Sequence, residues 1–428
     1  MKIPRRLRAV KFQELPEAIT SFAGLRFIFD LAVRLGLIEE LRRLTVKKRR
    51  RGIAIEDFVM SLAATFLVGG RNLRDLKILR EEKVTRRLCF DLQVPAPTTA
   101  GERLRSFALG HLDQLSRVNS AFLRAIDQEI GGEETATVDL DSSIFEQYGY
   151  LREGVRYGYT GVKGFHPLLA FWSQRRLLLG LRLRAGNRTS ADGVGSFLRE
   201  LLREFVPARP VRLRMDAGFF SRKVERICLD YGLGFSVSAP LNPAIRARIE
   251  ALPESAWRDY PWEEGAQWAE LTYQPTGWSR SYRLLVKRTA WYEGEQRVLG
   301  AFFCTAVLTN LRGRGASLIR YHLARGGMEN YIEEFKNGIG AAHLPSQCFL
   351  ANWAWLLIAA IAYNLAQAFK LLLLPAGQHS HQLKHLRLHW LVVAARWIRT
   401  GRRWILALPR GPDVVAAFSG VQTLLQAI

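Results

Sequence analysis

Apolar positions recur at helical spacing through the first 130 residues, then switch to a period of two, and this change organises the chain. Phe22 to Leu41 is amphipathic, Ile55 to Leu67 is a second helical run stopped by Gly69-Gly70, and Arg71 to Glu82 is a third on charged ground. Pro95-Ala-Pro97-Thr98-Thr99 breaks the chain, and Thr98 or Thr99 is placed to cap a long helix from about Ala100 to Ile126. A short helix, a proline turn and a second helix admit either a helix-turn-helix or an ordinary helical subdomain, and spacing does not separate the two.

After Gly131-Gly132 the pattern predicts strands. Thr135 to Asp141 places Asp139 and Asp141 on one face, ahead of Ser142-Ser143. Two carboxylates on one strand face are costly unless a cation joins them. Pro167 to Trp172 and Leu177 to Arg184 follow as strands split by a turn, then a helix from about Gly193 to Phe205. Val211 to Asp216, the helix Arg222 to Tyr231 and the strand Gly234 to Ser238 complete the run. Asp216 ends its strand, at the position where open α/β sheets carry ligand groups. Short connections make the first three strands antiparallel, and helical connections make the later ones parallel. This order is that of a ribonuclease-H-like fold.

Between residues 240 and 300, Trp257, Trp262, Trp268, Trp278 and Trp291 sit among short alternating segments. They predict a β-rich insertion closed by the strand Val298 to Leu308. The tryptophans suit core packing, or, where exposed, stacking on unpaired bases. Trp353 to Leu374 is apolar enough to be mistaken for a membrane span. Asn364, Gln367 and Lys370 would lack partners in lipid, so a helix buried in a large core is expected. A basic amphipathic stretch follows from about Leu383 to Arg399, then a strand or helix near Trp404 to Leu408. His381, His385 and His389 lie at four-residue intervals and read as a solvated or DNA-facing surface rather than a metal site.

Composition narrows the partners. The 428 residues carry 62 Lys and Arg against 39 Asp and Glu, a net charge of +23 that calls for a polyanion: nucleic acid before an acidic membrane surface. The run Lys47-Lys48-Arg49-Arg50-Arg51 suits phosphate contact. The four cysteines, without CxxC spacing, exclude a zinc finger and fit small buried residues in a reducing compartment. No signal peptide is readable at Met1 to Leu15.

Tyr321, Arg325, Glu329 and Lys336 complete the candidate chemistry. On a continuous helix turning about 100° per residue they share an arc of roughly 80°, which holds a carboxylate between two cations, ionised and able to bind a divalent metal. The plain alternative is a solvated helix with staggered ion pairs.

Three pieces in this order, Asp139-Leu-Asp141-Ser142-Ser143, Arg214-Met-Asp216-Ala-Gly218-Phe219 and Tyr321/Arg325/Glu329/Lys336, resemble the DDE transposases of bacterial insertion sequences. The similarity is to the branch with a β-rich insertion and a Tyr-Arg-Glu-Lys signature, and it covers roughly residues 130 to 410. Three residues separate Tyr321 from Arg325 where two are usual. That spacing, the helix Asn352 to Leu365 and Gly401-Arg402-Arg403-Trp404 are similar to the insertion sequence 1380 group.

The resemblance implies a metal-binding triad of Asp141, Asp216 and Glu329, with Asp139 as the alternative first aspartate. It further implies two Mg²⁺ ions, replaceable by Mn²⁺, and DNA contacts by Tyr321, Arg325 and Lys336. A tryptophan of the insertion would receive a flipped base while a DNA hairpin forms. The expected organisation is an all-α DNA-binding domain over 1–130, a ribonuclease-H-like core over 131–239 and 301–375, the β insertion over 240–300 and a basic region over 376–428. The expected function is cut-and-paste DNA transposition by a homodimer, cytoplasmic and nucleoid-associated in a bacterium, without membrane association. A nuclease of the same fold, an inactive DNA-binding descendant and, last, a membrane-surface protein are the alternatives.

Overall fold

The computed structural model describes residues 18–46, 52–132, 135–149, 151–158, 160–204, 210–293, 296–401, 403–408 and 411–428. Arg49, Arg50 and Arg51 lie outside the described residues.

Nine strands form one mixed sheet: β1 (Ala136–Ser142), β2 (Leu168–Trp172), β3 (Leu177–Arg182), β4 (Val211–Met215), β5 (Gly234–Ser238), β6 (Arg258–Asp259), β7 (Gln267–Tyr273), β8 (Tyr282–Glu293) and β9 (Gln296–Thr309). Their spatial order is β6-β7-β8-β9-β5-β4-β1-β2-β3. β1, β4 and β5 are mutually parallel neighbours, whereas β2 and β3 run antiparallel. Direction follows connection: β4 and β5 are each reached through a helix, β3 through a tight turn. The segment rich in tryptophan does not stand apart, because β9 pairs antiparallel with β5, Val307 opposite Ser238, and carries β6–β9 into the same sheet. Between β1 and β2 lies a small three-stranded sheet, Phe145–Glu146, Arg156–Tyr157 and Lys163–Phe165, whose two- and three-residue strands are too short to show a period in the sequence.

The early helices include α1 (Leu25–Arg34), α2 (Leu37–Arg42), α3 (Ile55–Val68), α4 (Pro97–Arg105) and α5 (Leu109–Ile130). The single helix expected over Ala100 to Ile126 is two. Ala108 is extended, and its N–H is taken by Nδ1 of His111 at 3.0 Å, which restarts the chain as α5. The remaining helices used below are α6 (Val194–Glu204), α7 (Arg222–Asp230), α8 (Gly315–Leu323), α9 (Gly327–Glu333), α10 (Phe349–Leu373) and α11 (Pro412–Ala427).

α10 is long and apolar enough to cross a membrane by length and composition, yet it is buried against α3, α5 and β3. The polar residues Asn364, Gln367 and Lys370 each have protein partners. Asn364 accepts from the Leu178 N–H at 2.8 Å and donates to Asn119 Oδ1 and the Leu178 carbonyl at 2.8 and 2.9 Å. Gln367 donates to Glu334, and Lys370 donates to the His381 carbonyl at 2.8 Å with Glu334 3.8 Å away. Apolar residues from α1–α5, the sheet, α10 and α11 form one continuous core, and a smaller cluster around Trp268, Leu285, Val307 and Ile319 seats α8 on the extended part of the sheet.

Asn364→Leu keeps the volume but strands Asn119 Oδ1 and the Leu178 N–H, while the Leu178 carbonyl keeps only Asn119 Nδ2 at 3.2 Å. An orphaned buried polar group costs about 1–3 kcal/mol, so the midpoint of urea unfolding should fall clearly. An unchanged midpoint would mean the network contributes nothing.

The basic stretch after α10 is not one helix. Leu383–Leu386 is a single turn continued by a π-turn, Arg387–Leu391, after which Ala395–Thr400 and Arg403–Ala407 pair as a hairpin that also carries Ile19–Thr20. The turn at Gly401 (φ +60°) explains the glycine within that sequence.

Candidate active site

Alternation on β1 buries Val138 and Leu140 on one side and turns Thr137, Asp139 and Asp141 to the other. The β1–β4 register sets Asp139 opposite Arg214 and Leu140 opposite Met215, so Asp141 and Asp216 follow as neighbours at the ends of two parallel strands.

Asp139 is removed as an alternative metal ligand by this pairing. It is 0% exposed and gripped on both oxygens by Arg214, Nε to Oδ1 at 2.6 Å and Nη2 to Oδ2 at 2.7 Å. Arg214 also donates to Ser173 Oγ and to the carbonyl of Tyr321, each at 2.7 Å or less. The Tyr321 ring covers the guanidinium 4.9 Å away, and its hydroxyl donates to Thr137 Oγ1 at 3.3 Å. The structure therefore places Tyr321 inside a buried support for the aspartate pair, where sequence reasoning expected it on DNA.

Asp141 accepts from Arg325 Nη1 at 3.0 Å and from the Ser142 N–H at 2.7 Å. Burial first, and the nearby charge of Asp216 second, push its carboxyl up to about 6, against the opposing pull of Arg325. Asp216 caps the 3₁₀ turn Ala217–Phe219, accepting from the Gly218 N–H at 2.9 Å, and burial also raises its carboxyl. Two partly desolvated carboxylates, the charge of Asp216 adding to the burial of Asp141, are a donor set that a divalent cation would relieve.

The span Tyr321 to Lys336 is not the uniform helix the arc assumed. α8 ends at Leu323, Ala324–Gly326 is a 3₁₀ turn, α9 follows, and Glu334–Gly338 is a π-turn. A 3₁₀ turn advances about 20° more per residue than an α-turn, roughly 60° over three residues, which rotates Glu329 away from the face that Tyr321 occupies. Glu329 is exposed and makes no hydrogen bond or ion pair to a described residue. Among the described residues, no three His, Cys, Asp or Glu side chains stand together as a metal-holding group. The wider π-turn rotates the chain back, and half-buried Lys336 donates to the Ile144 carbonyl at 2.9 Å, next to Ser143. Tyr321, Arg325 and Lys336 thus meet β1 and its exit in ascending order, at Thr137, Asp141 and Ile144.

Sequence reasoning missed His166 and Ser190. His166 is buried, donates through Nδ1 to the Arg188 carbonyl at 2.7 Å, and lies within electrostatic reach of Asp216, while burial lowers its imidazole. Ser190 meets Ser142, Oγ to Oγ at 2.9 Å. A Cβ on Gly218 would stand 2.8 Å from Ser190, so the glycine permits this close approach. The hint in the sequence is a lone histidine at the entry to a strand, which carries no period.

Of the tryptophans, Trp257, Trp268 and Trp278 are buried, whereas Trp262 and Trp291 are 43% and 49% exposed. Arg288 lies between the rings of Trp257 and Phe302, at 4.0 and 4.3 Å. The rings of His381, His385 and His389 follow one another at 4.2 Å centroid spacings, the first pair edge-on and the second tilted. The cysteines are free, with Cys89 and Cys228 buried and their thiols raised by that burial.

A mixed α/β sheet that brings two aspartates together at the ends of parallel strands, beneath an arginine and a lysine, defines a protein with an acidic centre under a cationic cover. The chain belongs to the transposase DDE domain family, group 1, whose family model matches residues 4–427. No curated protein matches it by sequence. Among solved structures, it is similar to a piggyBac transposase in a synaptic complex with hairpin DNA, seen by cryo-EM, at 13% identity and a TM-score of 0.44 over 95% of this chain and 82% of that one.

Proposed function

We propose that this chain is an insertion-sequence transposase of the insertion sequence 1380 group. It binds the terminal inverted repeats as a homodimer in the bacterial cytoplasm, cuts both DNA ends and joins them to target DNA. The observation that carries this reading is the apposition of Asp141 and Asp216, with Arg325 on the former, in a chain of the DDE family carrying +23 charge. The strand order β3-β2-β1-β4-β5, with only β2 reversed against β1, supports a ribonuclease-H-like core.

Asp141 and Asp216 would hold divalent cations, with Glu329 from α9 as the third ligand. Mg²⁺, or Mn²⁺ in its place, supplies activation of water or a 3′-hydroxyl and stabilisation of the leaving oxygen. Arg325 and Lys336 position the phosphodiester, Arg325 by a fork-shaped contact suited to phosphate oxygens. Asp139, Arg214 and Tyr321 keep β1, β4 and α8 in register beneath them. Trp262 and Trp291 are the exposed members of the five and the candidates for stacking on an unpaired base.

The test is incubation with a labelled element-end duplex, target plasmid and Mg²⁺. Nicked ends and end–target joints are expected. Cleavage of pre-cut and intact ends without any joint would assign a nuclease instead, and absence of both products with intact binding would leave a DNA-binding protein.

A further inference from the structure

Arg184, at the exit of β3, is 6% exposed, and among the described residues no carboxylate forms an ion pair with it. Its guanidinium donates only to neutral carbonyls: Nε to His166 at 2.8 Å, and Nη1 to Thr189 and Asp192 at 2.7 and 2.6 Å. Nη2 is buried and has no partner. A guanidinium offers five N–H donors, and a buried charge left with unpaired donors is unfavourable until an anion completes it. This group lines an open cavity of about 530 Å³ with Arg182, Arg188, Asp192, Gly154 and Phe349, so three arginines stand there against one aspartate. Arg182 is neutralised by Glu200, and Asp192 accepts from the Thr189 N–H at 2.9 Å. Arg188 is exposed and makes no ion pair with a described residue, so the cavity keeps an excess of positive charge. Burial lowers the Arg184 guanidinium to about 10, with the nearby carboxylate of Asp192 opposing that shift and the charges of Arg182 and Arg188 adding to it.

We propose that this cavity is a second phosphate site: Arg184 and Arg188 hold a non-reacting backbone phosphate of the bound DNA. The inference rests on the DNA-binding part of the proposed function and extends it to residues outside the signature. The loop that wraps Arg184 also carries Ser190 onto Ser142 and against Gly218, beside Asp141 and Asp216. A phosphate bound here would lie one loop away from the carboxylate pair, and would fix the strand's path into it.

Duplex binding by the full-length protein, measured against salt concentration, tests the site. Losing one phosphate contact lowers the slope of log K against log salt by about 0.9. Arg188→Gln should show that drop, with equal weakening on element-end and unrelated duplexes and an unchanged melting temperature. A scan of single methylphosphonate substitutions should find one position that weakens the wild type but not Arg188→Gln. Arg184→Lys, which keeps the charge and loses the fork, should weaken binding partially. A wild-type slope in Arg188→Gln, together with no such methylphosphonate position, would overturn the proposal. So would stabilisation of the wild type by inorganic phosphate with no effect of Arg188→Gln on DNA. Asp216→Asn is the control that keeps the two readings apart: it should retain the full slope, and if it cuts DNA like the wild type the catalytic reading fails while the phosphate site still stands on its own measurement.

Discussion

Asp216→Asn and Asp141→Asn should each bind an element-end duplex like the wild type and lose its Mg²⁺-dependent cleavage by on the order of 10²–10³ or more. Either amide keeps the shape of its side chain but removes the negative charge a cation needs. Wild-type cleavage by either variant would remove the pair from catalysis. Glu329→Gln decides the third ligand: a comparable loss places Glu329 with the pair during the reaction, and full activity leaves a two-carboxylate site. The same variants carry a pH signature. Because the Asp141 carboxyl is raised in the fold from 3.8 to about 6, its ionised form is disfavoured there. The folded state therefore takes up protons more readily than the unfolded chain between those values, and stability declines as pH rises from about 4 to 6. Above pH 6 the full penalty is present. Asp141→Asn should then be more stable than the wild type by about 1–3 kcal/mol at pH 7.5, with the difference vanishing near pH 4. Added Mg²⁺ should stabilise the wild type above pH 6 and leave the variant unmoved. Denaturation midpoints at both pH values check the sign.

Arg214→Met should be among the most destabilising single changes. It leaves the Asp139 carboxylate fully buried without its only bidentate partner, and removes donors from Ser173 and the Tyr321 carbonyl. Breaking a buried ion pair from one side costs about 3–5 kcal/mol. Replacing both partners, as in Asp139→Leu with Arg214→Met, should recover a large part of the loss, since the stranded charge is gone. If the single variant unfolds like the wild type, the support assigned to this pair is wrong. If the double variant folds but cuts slowly at unchanged duplex affinity, the pair also sets the position of Tyr321 and, through α8, of Arg325.

Much of the sheet was legible because strand period and connection length are local. β1, β2, β4, β5, α7 and the buried helix α10 lie within a few residues of their expected bounds, and Asn364 and Lys370 were rightly read as needing protein partners. What the sequence concealed was rotation, register and the reach of single side chains. A helical wheel assumes one pitch, and the 3₁₀ and π-turns flanking α9 change it without any residue announcing the change. Period two could put Asp139 and Asp141 on the same face. It could not show that Arg214, one strand away, would cover the first and leave the second.

The sequence by itself determined the mixed α/β class, the strongly positive charge, and the acidic and basic residues at the ends of predictable elements, because composition and periodicity act over short range. Tertiary structure alone decided which carboxylates meet, which tryptophans reach solvent, and that the arginine after β3 is buried with its guanidinium on neutral carbonyls. Those outcomes depend on distances between segments up to 200 residues apart, and such distances are set by packing of the whole core rather than by any local preference.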